Sequence, residues 1–317
     1  MTAKKTTSIS LLTLAVIVFS ITGVLAINAQ NDPSIKFIAS SLKEKVKEGA
    51  TIYSYDAITR GISNNKKTSF KKAISGDLDL AEKHYNKGVA AAIKGEYGEA
   101  LDNLRDAIYL KPNFADAYYN LGIIYGAKGM HERGIKSFSK AVRFDPDSVE
   151  AHNNLGVFYA LKGLYKEAVA EFKKTVELDP EYADAQYNLG VAYGALGDHE
   201  KEMLQYSKAI ELDPQFVEAF NNLGIVYGTF GRDEEELACY KTAIGIDSSY
   251  ADAYYNLGVA YSVRGIYDKA IIQYIKALFF KDKFLDAHFN LGILYGIRGK
   301  YDTALTHYRK ARIVYTN

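Results

Sequence analysis

The sequence has little cysteine and no excess of charge of either sign. Its one cysteine, Cys239, excludes an intramolecular disulfide framework and a cysteine-based zinc cluster. We interpret it as a small packed residue. Lysine and arginine total 39 against 38 acidic residues, which offers no basic field for nucleic acid. Phosphate loops, metal-binding motifs and nucleophile elbows are also missing. We therefore expect no enzymatic activity, no cofactor, no metal site and no nucleic-acid partner.

The N-terminal residues differ from the rest of the chain. Lys4 and Lys5 precede an apolar stretch from Ile9 to Ile27, and small residues suited to signal-peptidase cleavage come next. Residues 1–29 are therefore predicted to be a cleaved signal peptide or a retained single-span membrane anchor. Both alternatives keep the lysines inside and export the rest of the chain. We expect an exported, periplasmic or otherwise extracytoplasmic protein, either soluble or tethered. Residues 30–46 resemble a tether.

Two series of glycines recur every 34 residues along most of the sequence. The first contains Gly88, Gly122, Gly156, Gly190, Gly224, Gly258 and Gly292. The second contains Gly95, Gly129, Gly163, Gly197, Gly231, Gly265 and Gly299. Such a strict period in two registers indicates a solenoid built from one repeated unit.

Each unit reads as two helices separated by a glycine turn. The first pattern, for example Asp116–Ala127, carries an apolar stripe at helical spacing. Gly129 then supplies the turn. The second pattern ends at a Lys-Pro or Asp-Pro step, because proline cannot continue the helical hydrogen bonds: Pro112, Pro146, Pro180 and Pro214.

These residues resemble the tetratricopeptide repeat family over 81–317. A Leu-Gly pair recurs from Leu121-Gly122 to Leu291-Gly292, with a tyrosine three residues later. A second-helix aromatic recurs as Phe138, Phe172, Tyr206, Tyr240, Tyr274 and Tyr308. The resemblance implies an all-α fold of seven tandem 34-residue repeats, in which antiparallel helix pairs form a right-handed superhelical solenoid. Ligands of this family usually bind on its concave side.

Three features depart from a regular array. Residues 47–80 are either a degenerate capping repeat or a helical linker. Glu202 and Glu236 replace the small second-helix residue of other units, so those helices must rotate, splay or pair the carboxylate. The last helix has no polar helix after it, which predicts an exposed apolar face and offers a route to a homo-oligomer.

Asparagine recurs at one position on the face of the first helix opposite the packing stripe. This Asn row consists of Asn86, Asn120, Asn154, Asn188, Asn222, Asn256 and Asn290. An amide carries both a donor and an acceptor, so we expect the row to grip an extended peptide backbone. It is similar to the asparagine ladder in the tetratricopeptide superhelix of O-linked N-acetylglucosamine transferase. The alternative is that these residues are solvated and idle.

Three further rows share that face. The neighbouring row is Tyr85, Tyr119, Asn153, Tyr187, Asn221, Tyr255 and Phe289, and its rings suit contacts with a partner. The small row is Gly126, Ala160, Gly194, Gly228, Ser262 and Gly296, which indicates ligand access or tight packing. The acid row is Glu82, Asp116, Glu150, Asp184, Glu218, Asp252 and Asp286. Acids in a first turn complement the helix dipole, or they favour basic ligands.

Surface shape, rather than a reactive group, should therefore carry the function. The leading hypothesis is a non-catalytic scaffold outside the cytoplasm that binds extended polypeptide segments. One alternative is a structural protein that assembles through its own repeats. Another is an accessory subunit of a separately encoded glycosyltransferase-type enzyme. The six histidines occupy positions that we interpret as packing positions rather than metal ligands.

Overall fold

A computed structural model describes residues 80–314 of the chain, with side chains as far as Ala311. The signal or anchor segment (1–29), the tether (30–46) and all but the last residue of segment 47–80 lie outside these residues. The described part contains fourteen helices: α1 Leu80–Lys94, α2 Tyr97–Leu110, α3 Ala115–Ala127, α4 His131–Phe144, α5 Val149–Leu161, α6 Tyr165–Leu178, α7 Ala183–Ala195, α8 His199–Leu212, α9 Val217–Thr229, α10 Asp233–Ile246, α11 Ala251–Val263, α12 Tyr267–Phe280, α13 Leu285–Ile297 and α14 Tyr301–Val314.

These helices form two compact units, residues 80–205 and residues 206–314 of the described part. In the N-terminal unit, α1 packs on α2, α3 on α4 and α5 on α6, and each second helix also contacts the next helix along the chain. The C-terminal unit repeats this order with α9 on α10, α11 on α12 and α13 on α14. The predicted all-α fold of antiparallel helix pairs stacked in chain order is confirmed.

The glycine turn between paired helices adopts the predicted geometry. Gly129 has a φ of 68°, a left-handed conformation that L side chains rarely adopt. The amide of Gly129 donates to the carbonyl of Gly126, and the amide of Met130 donates to that of Tyr125, both at 2.8 Å. This bonding is a Schellman motif, which satisfies the last carbonyls of α3 and turns the chain into α4.

The Leu-Gly signature lets the paired helices approach closely. A Cβ on Gly122 would lie 2.7 Å from the ring of Phe138, whose side chain is fully buried. Equivalent glycines meet the equivalent aromatic of the second helix in other repeats, for example Gly258 and Tyr274 at 2.7 Å. The glycine and the aromatic are therefore two halves of one packing contact.

The two glutamates at helix crossings are accommodated by pairing. Glu236 is 4% exposed, and its carboxylate accepts from Arg264 Nη2 at 2.5 Å and from the Tyr240 hydroxyl at 3.5 Å. Burial raises the pKa of Glu236, and the Arg264 guanidinium opposes that shift. Glu202 lies 2.8 Å from Nδ1 of His199 and occupies the space that a side chain on Gly194 would fill. Pairing, one of the three predicted solutions, is observed at both glutamates.

Reactive groups are scarce among residues 80–314. Cys239 is buried, and burial raises the pKa of its thiol to about 11, so the thiolate is a minor form at neutral pH. No group of three potential metal ligands occurs in the described residues. No helix in this part of the chain is long and apolar enough to cross a membrane.

Candidate functional site

The Asn row is held inside the first-helix face rather than standing free on it. Asn154 and Asn188 are only 2% and 8% exposed, and the other five members are half-buried. Five members donate a hydrogen bond from the side-chain amide to the neighbouring row of the preceding repeat, 35 residues earlier. The bonds are Asn120 to Tyr85 Oη at 3.1 Å, Asn154 to Tyr119 Oη at 3.0 Å, Asn188 to Asn153 Oδ1 at 3.2 Å, Asn256 to Asn221 Oδ1 at 2.8 Å and Asn290 to Tyr255 Oη at 3.3 Å.

These bonds join two rows that the sequence pattern presents as independent. A sequence signal for the contact existed. Six of the seven positions of the neighbouring row hold tyrosine or asparagine, and both side chains end in an oxygen that can accept a hydrogen bond. Each bond joins two adjacent repeats, and a buried hydrogen bond of this kind contributes about 1 kcal/mol. The Asn row therefore stabilises the stacking of repeats, a role that sequence reasoning missed.

The same bonds leave one half of each amide available. Because Nδ2 is turned toward the preceding repeat, the orientation of the amide is fixed. No described residue donates a hydrogen bond to the Oδ1 of Asn120, Asn154, Asn188, Asn256 or Asn290. None of these Oδ1 atoms is fully buried, so each remains accessible to solvent. The row offers oriented acceptors, rather than the donor–acceptor pair that we expected.

The rings of Tyr119, Tyr187 and Tyr255 in the neighbouring row are packed against the protein, whereas Phe289 at the end of the row is exposed. Tyr119 is 7% exposed, and its ring meets the ring of Phe138 edge-on at a centroid distance of 5.7 Å. Tyr187 is buried as well. Tyr255 lies 4.7 Å from Phe284, measured between ring centroids. Stacking of a partner on these rings, which the sequence suggested, is therefore blocked by the protein's own packing, and the hydroxyl groups remain as the polar tips.

The small row serves packing at two of its positions, Gly126 and Gly194. A side chain on Gly126 would lie 2.6 Å from the ring of Phe158, in the first helix of the next repeat. The corresponding space at Gly194 holds the carboxylate of Glu202. Gly296, by contrast, has open space around it, with no atom within 4 Å of an added Cβ. Of the two uses predicted for this row, tight packing applies to Gly126 and Gly194.

The acid row borders a cleft in the N-terminal unit. Here the first turns of α1, α3 and α5 lie beside the loops α2–α3 and α4–α5 and enclose a volume of about 490 Å³. The cleft is lined by five carboxylates: Glu82, Asp116, Asp145, Asp147 and Glu150. Its one lysine, Lys111, has its ammonium group 4.5 Å from the centroid of the Phe114 ring. Farther along the acid row, Asp184 is half-buried, and Asp252 lies 3.3 Å from Lys281 Nζ.

Family models match most of the described residues. The model described as "TPR repeat" matches residues 90–129, 159–197, 195–231 and 231–262. Models described as "Tetratricopeptide repeat" match residues 115–148, 137–170 and 285–310. Together these matches span residues 90–262 and 285–310, which is more than half of the chain.

Solved structures with the same architecture include a tetratricopeptide repeat protein from Parabacteroides merdae. It superposes with a TM-score of 0.62 at 18% identity, covering 74% of this chain and 93% of that chain. Pseudomonas aeruginosa pilF superposes with a TM-score of 0.57 at 20% identity, covering 64% of this chain and 92% of that chain. At these identities the likeness shows the fold alone. The MamA protein is 30% identical over 53% of this chain and 92% of that chain, with a TM-score of 0.48. No curated protein matches the sequence.

Proposed function

Because this chain belongs to the tetratricopeptide repeat family, whose fold supports protein–protein interaction, we propose that it is a non-catalytic scaffold outside the cytoplasm that binds extended polypeptide segments along its Asn row. The observation that carries this proposal is the set of oriented, unused Oδ1 acceptors at a fixed spacing in successive repeats. An extended backbone presents its N–H donors regardless of its side chains. Such a row would therefore recognise the peptide backbone rather than one sequence.

A peptide selection tests this mechanism. Immobilised protein is panned against a library of random twelve-residue peptides, and the affinities of the selected peptides are measured by fluorescence polarisation. We expect the combined variant Asn154→Ala, Asn188→Ala and Asn256→Ala to bind the selected peptides at least about ten-fold more weakly, because each lost acceptor weakens every peptide alike.

The control for this experiment is Asn103→Ala, which removes an amide outside the row whose only bond is to the carbonyl of Glu99. Circular dichroism must show the same helix content for both variants, since the Asn row also joins repeats. Undiminished affinity in the combined variant would refute the backbone-binding mechanism. Failure of the unaltered protein to select any peptide would refute the proposed function itself.

The location outside the cytoplasm rests on the sequence of residues 1–29. The two lysines and the apolar stretch to Ile27 that comes after them are the pattern of an export signal. A reporter enzyme that is active only after export, fused behind residue 46, should be active when residues 1–29 are present and inactive when they are deleted. Equal activity of the two fusions would contradict export.

Self-assembly is a second candidate function, favoured by one surface of the C-terminal unit. Apolar side chains are exposed together on the last described repeat: Phe289, Ile293, Ile297, Leu305 and Tyr308. Their equivalents in an inner repeat, such as Tyr119 and Phe138, are buried and contact Asn154 and Phe158 of the next repeat. Exposed patches of this kind often mark an interface. Light scattering across micromolar concentrations decides the matter, because a constant monomer mass excludes assembly through this surface.

A further inference from the structure

The cleft of the N-terminal unit combines a defined volume with a strong charge of one sign. Its volume of about 490 Å³ falls within the range of sites that hold a ligand. Five carboxylates line it against the single ammonium group of Lys111. No ion pair within residues 80–314 involves Glu82, Asp145, Asp147 or Glu150. The cleft therefore carries an uncompensated negative potential, which a cationic guest would relieve.

Helix dipoles explain only part of this charge. Glu82, Asp116 and Glu150 lie in the first turns of α1, α3 and α5, where a carboxylate is favoured for local reasons. Asp145 and Asp147 lie in the loop before α5. The one hydrogen bond that their carboxylates make with described residues lies within that loop, where Oδ1 of Asp145 accepts from the amide of Asp147 at 3.4 Å. The two loop acids add charge to the cleft that the helices do not require.

A second group points to a ligand independently of the carboxylates. Tyr119 lines the cleft and is buried, with only 7% of its surface exposed. Its hydroxyl oxygen accepts from Asn154 Nδ2 at 3.0 Å, but its own proton has no acceptor among the described residues. Burial raises the pKa of Tyr119, so the hydroxyl stays protonated and remains a donor. A buried donor needs an acceptor, and a ligand group such as a peptide carbonyl can supply one here.

We propose that this cleft binds one lysine or arginine side chain of an extended partner segment, with a carbonyl of the same segment accepting from Tyr119. The inference rests on the proposed function and deepens it, because it assigns a side-chain preference to one part of the binding surface. The Asn row would hold the backbone without regard to sequence, and the cleft would set the register of the segment through its positive charge.

The test uses three fluorescein-labelled twelve-residue peptides of alternating serine and alanine that differ only at one central residue. That residue is arginine, citrulline or glutamate. Citrulline has nearly the shape of arginine but no charge. We expect the arginine peptide to bind the full chain about ten-fold more tightly than the citrulline peptide, the glutamate peptide to bind most weakly, and the preference to shrink in high salt.

The diagnostic variant is Asp145→Asn, Asp147→Asn and Glu150→Gln, which removes three charges from the cleft. It should lose the preference for arginine over citrulline and keep its affinity for the citrulline peptide. The matched control removes three exposed charges that do not line the cleft, by Glu200→Gln, Glu211→Gln and Glu234→Gln. This control should keep the preference. Tyr119→Phe should weaken the binding of all three peptides by a similar factor, since each peptide offers the same backbone carbonyls to the Tyr119 hydroxyl.

The outcomes separate this inference from the proposed function. Equal affinity for the arginine and citrulline peptides would overturn the charge-selective cleft alone, and loss of the preference in the matched control would do the same. Failure of all three peptides to bind would also overturn it, whereas the proposed function is decided by the library selection with the Asn-row variant.

Discussion

Two glycine-to-alanine substitutions in the C-terminal unit should change stability in opposite directions. Gly258 and Gly296 both lie in first helices, in α11 and α13. An added Cβ at Gly258 would lie 2.7 Å from two ring atoms of Tyr274, whose side chain is buried at 1% exposure. The same Cβ at Gly296 would meet no atom within 4 Å. The pair therefore separates close packing from helix propensity.

The expected magnitudes result from two opposing effects. Alanine is favoured over glycine inside a helix by about 1 kcal/mol. Ordinary van der Waals contact begins near 3.4 Å, so the Tyr274 ring would have to move by roughly 0.7 Å, and overpacking of this kind costs about 1–3 kcal/mol. Gly258→Ala should therefore lower the free energy of unfolding by up to about 2 kcal/mol. Gly296→Ala should raise it by about 0.5–1 kcal/mol, somewhat less than the full propensity because the residue lies near the end of its helix.

Urea denaturation monitored by circular dichroism measures both changes. The midpoint should shift down for Gly258→Ala and up for Gly296→Ala, with the slope unchanged if the unfolding unit is the same. A Gly258→Ala variant at least as stable as the unaltered chain would refute the reasoning. That result would mean that the glycine of the Leu-Gly pair is not needed for the approach of the aromatic ring.

Two further predictions concern contacts between helices. In a double-mutant cycle, Asn154→Ala and Tyr119→Phe should show a coupling free energy of about 1 kcal/mol in urea denaturation, and additive effects would exclude the bond between repeats. Burial lowers the pKa of His288 and of His307, whose Nδ1 atoms lie 3.0 Å apart, with Lys310 adding to the shift and Asp282 opposing it at His288. Because the folded pKa values are lowered, the unfolded chain binds more protons than the folded chain as the pH falls. The stability that the two neutral histidines contribute is therefore present above the ordinary histidine pKa of about 6.5 and is lost as the pH falls through the lowered folded values. The melting temperature should therefore fall between about pH 7.5 and 5, and His288→Tyr should reduce that fall.

The pairing of the buried glutamates shows where sequence reasoning reaches its limit. The sequence identified Glu236 as a carboxylate at a helix crossing that needed a solution. The solution is Arg264, 28 residues away, whose guanidinium also lies 2.6 Å from Asp233. No local pattern marks Arg264 as that partner, because the contact depends on how one repeat is rotated on the next.

The sequence by itself determined the period, the helix pairs and their turns. These features depend on interactions within one repeat: a left-handed glycine such as Gly129, a proline step such as Pro146, and the contact between Gly122 and Phe138. Only the tertiary structure decided the use of each surface position. Whether Asn154 donates to Tyr119, or Gly126 makes room for Phe158, depends on the distance and rotation between successive repeats. Those quantities are set by many packed side chains acting together, and the sequence around any one position does not contain them.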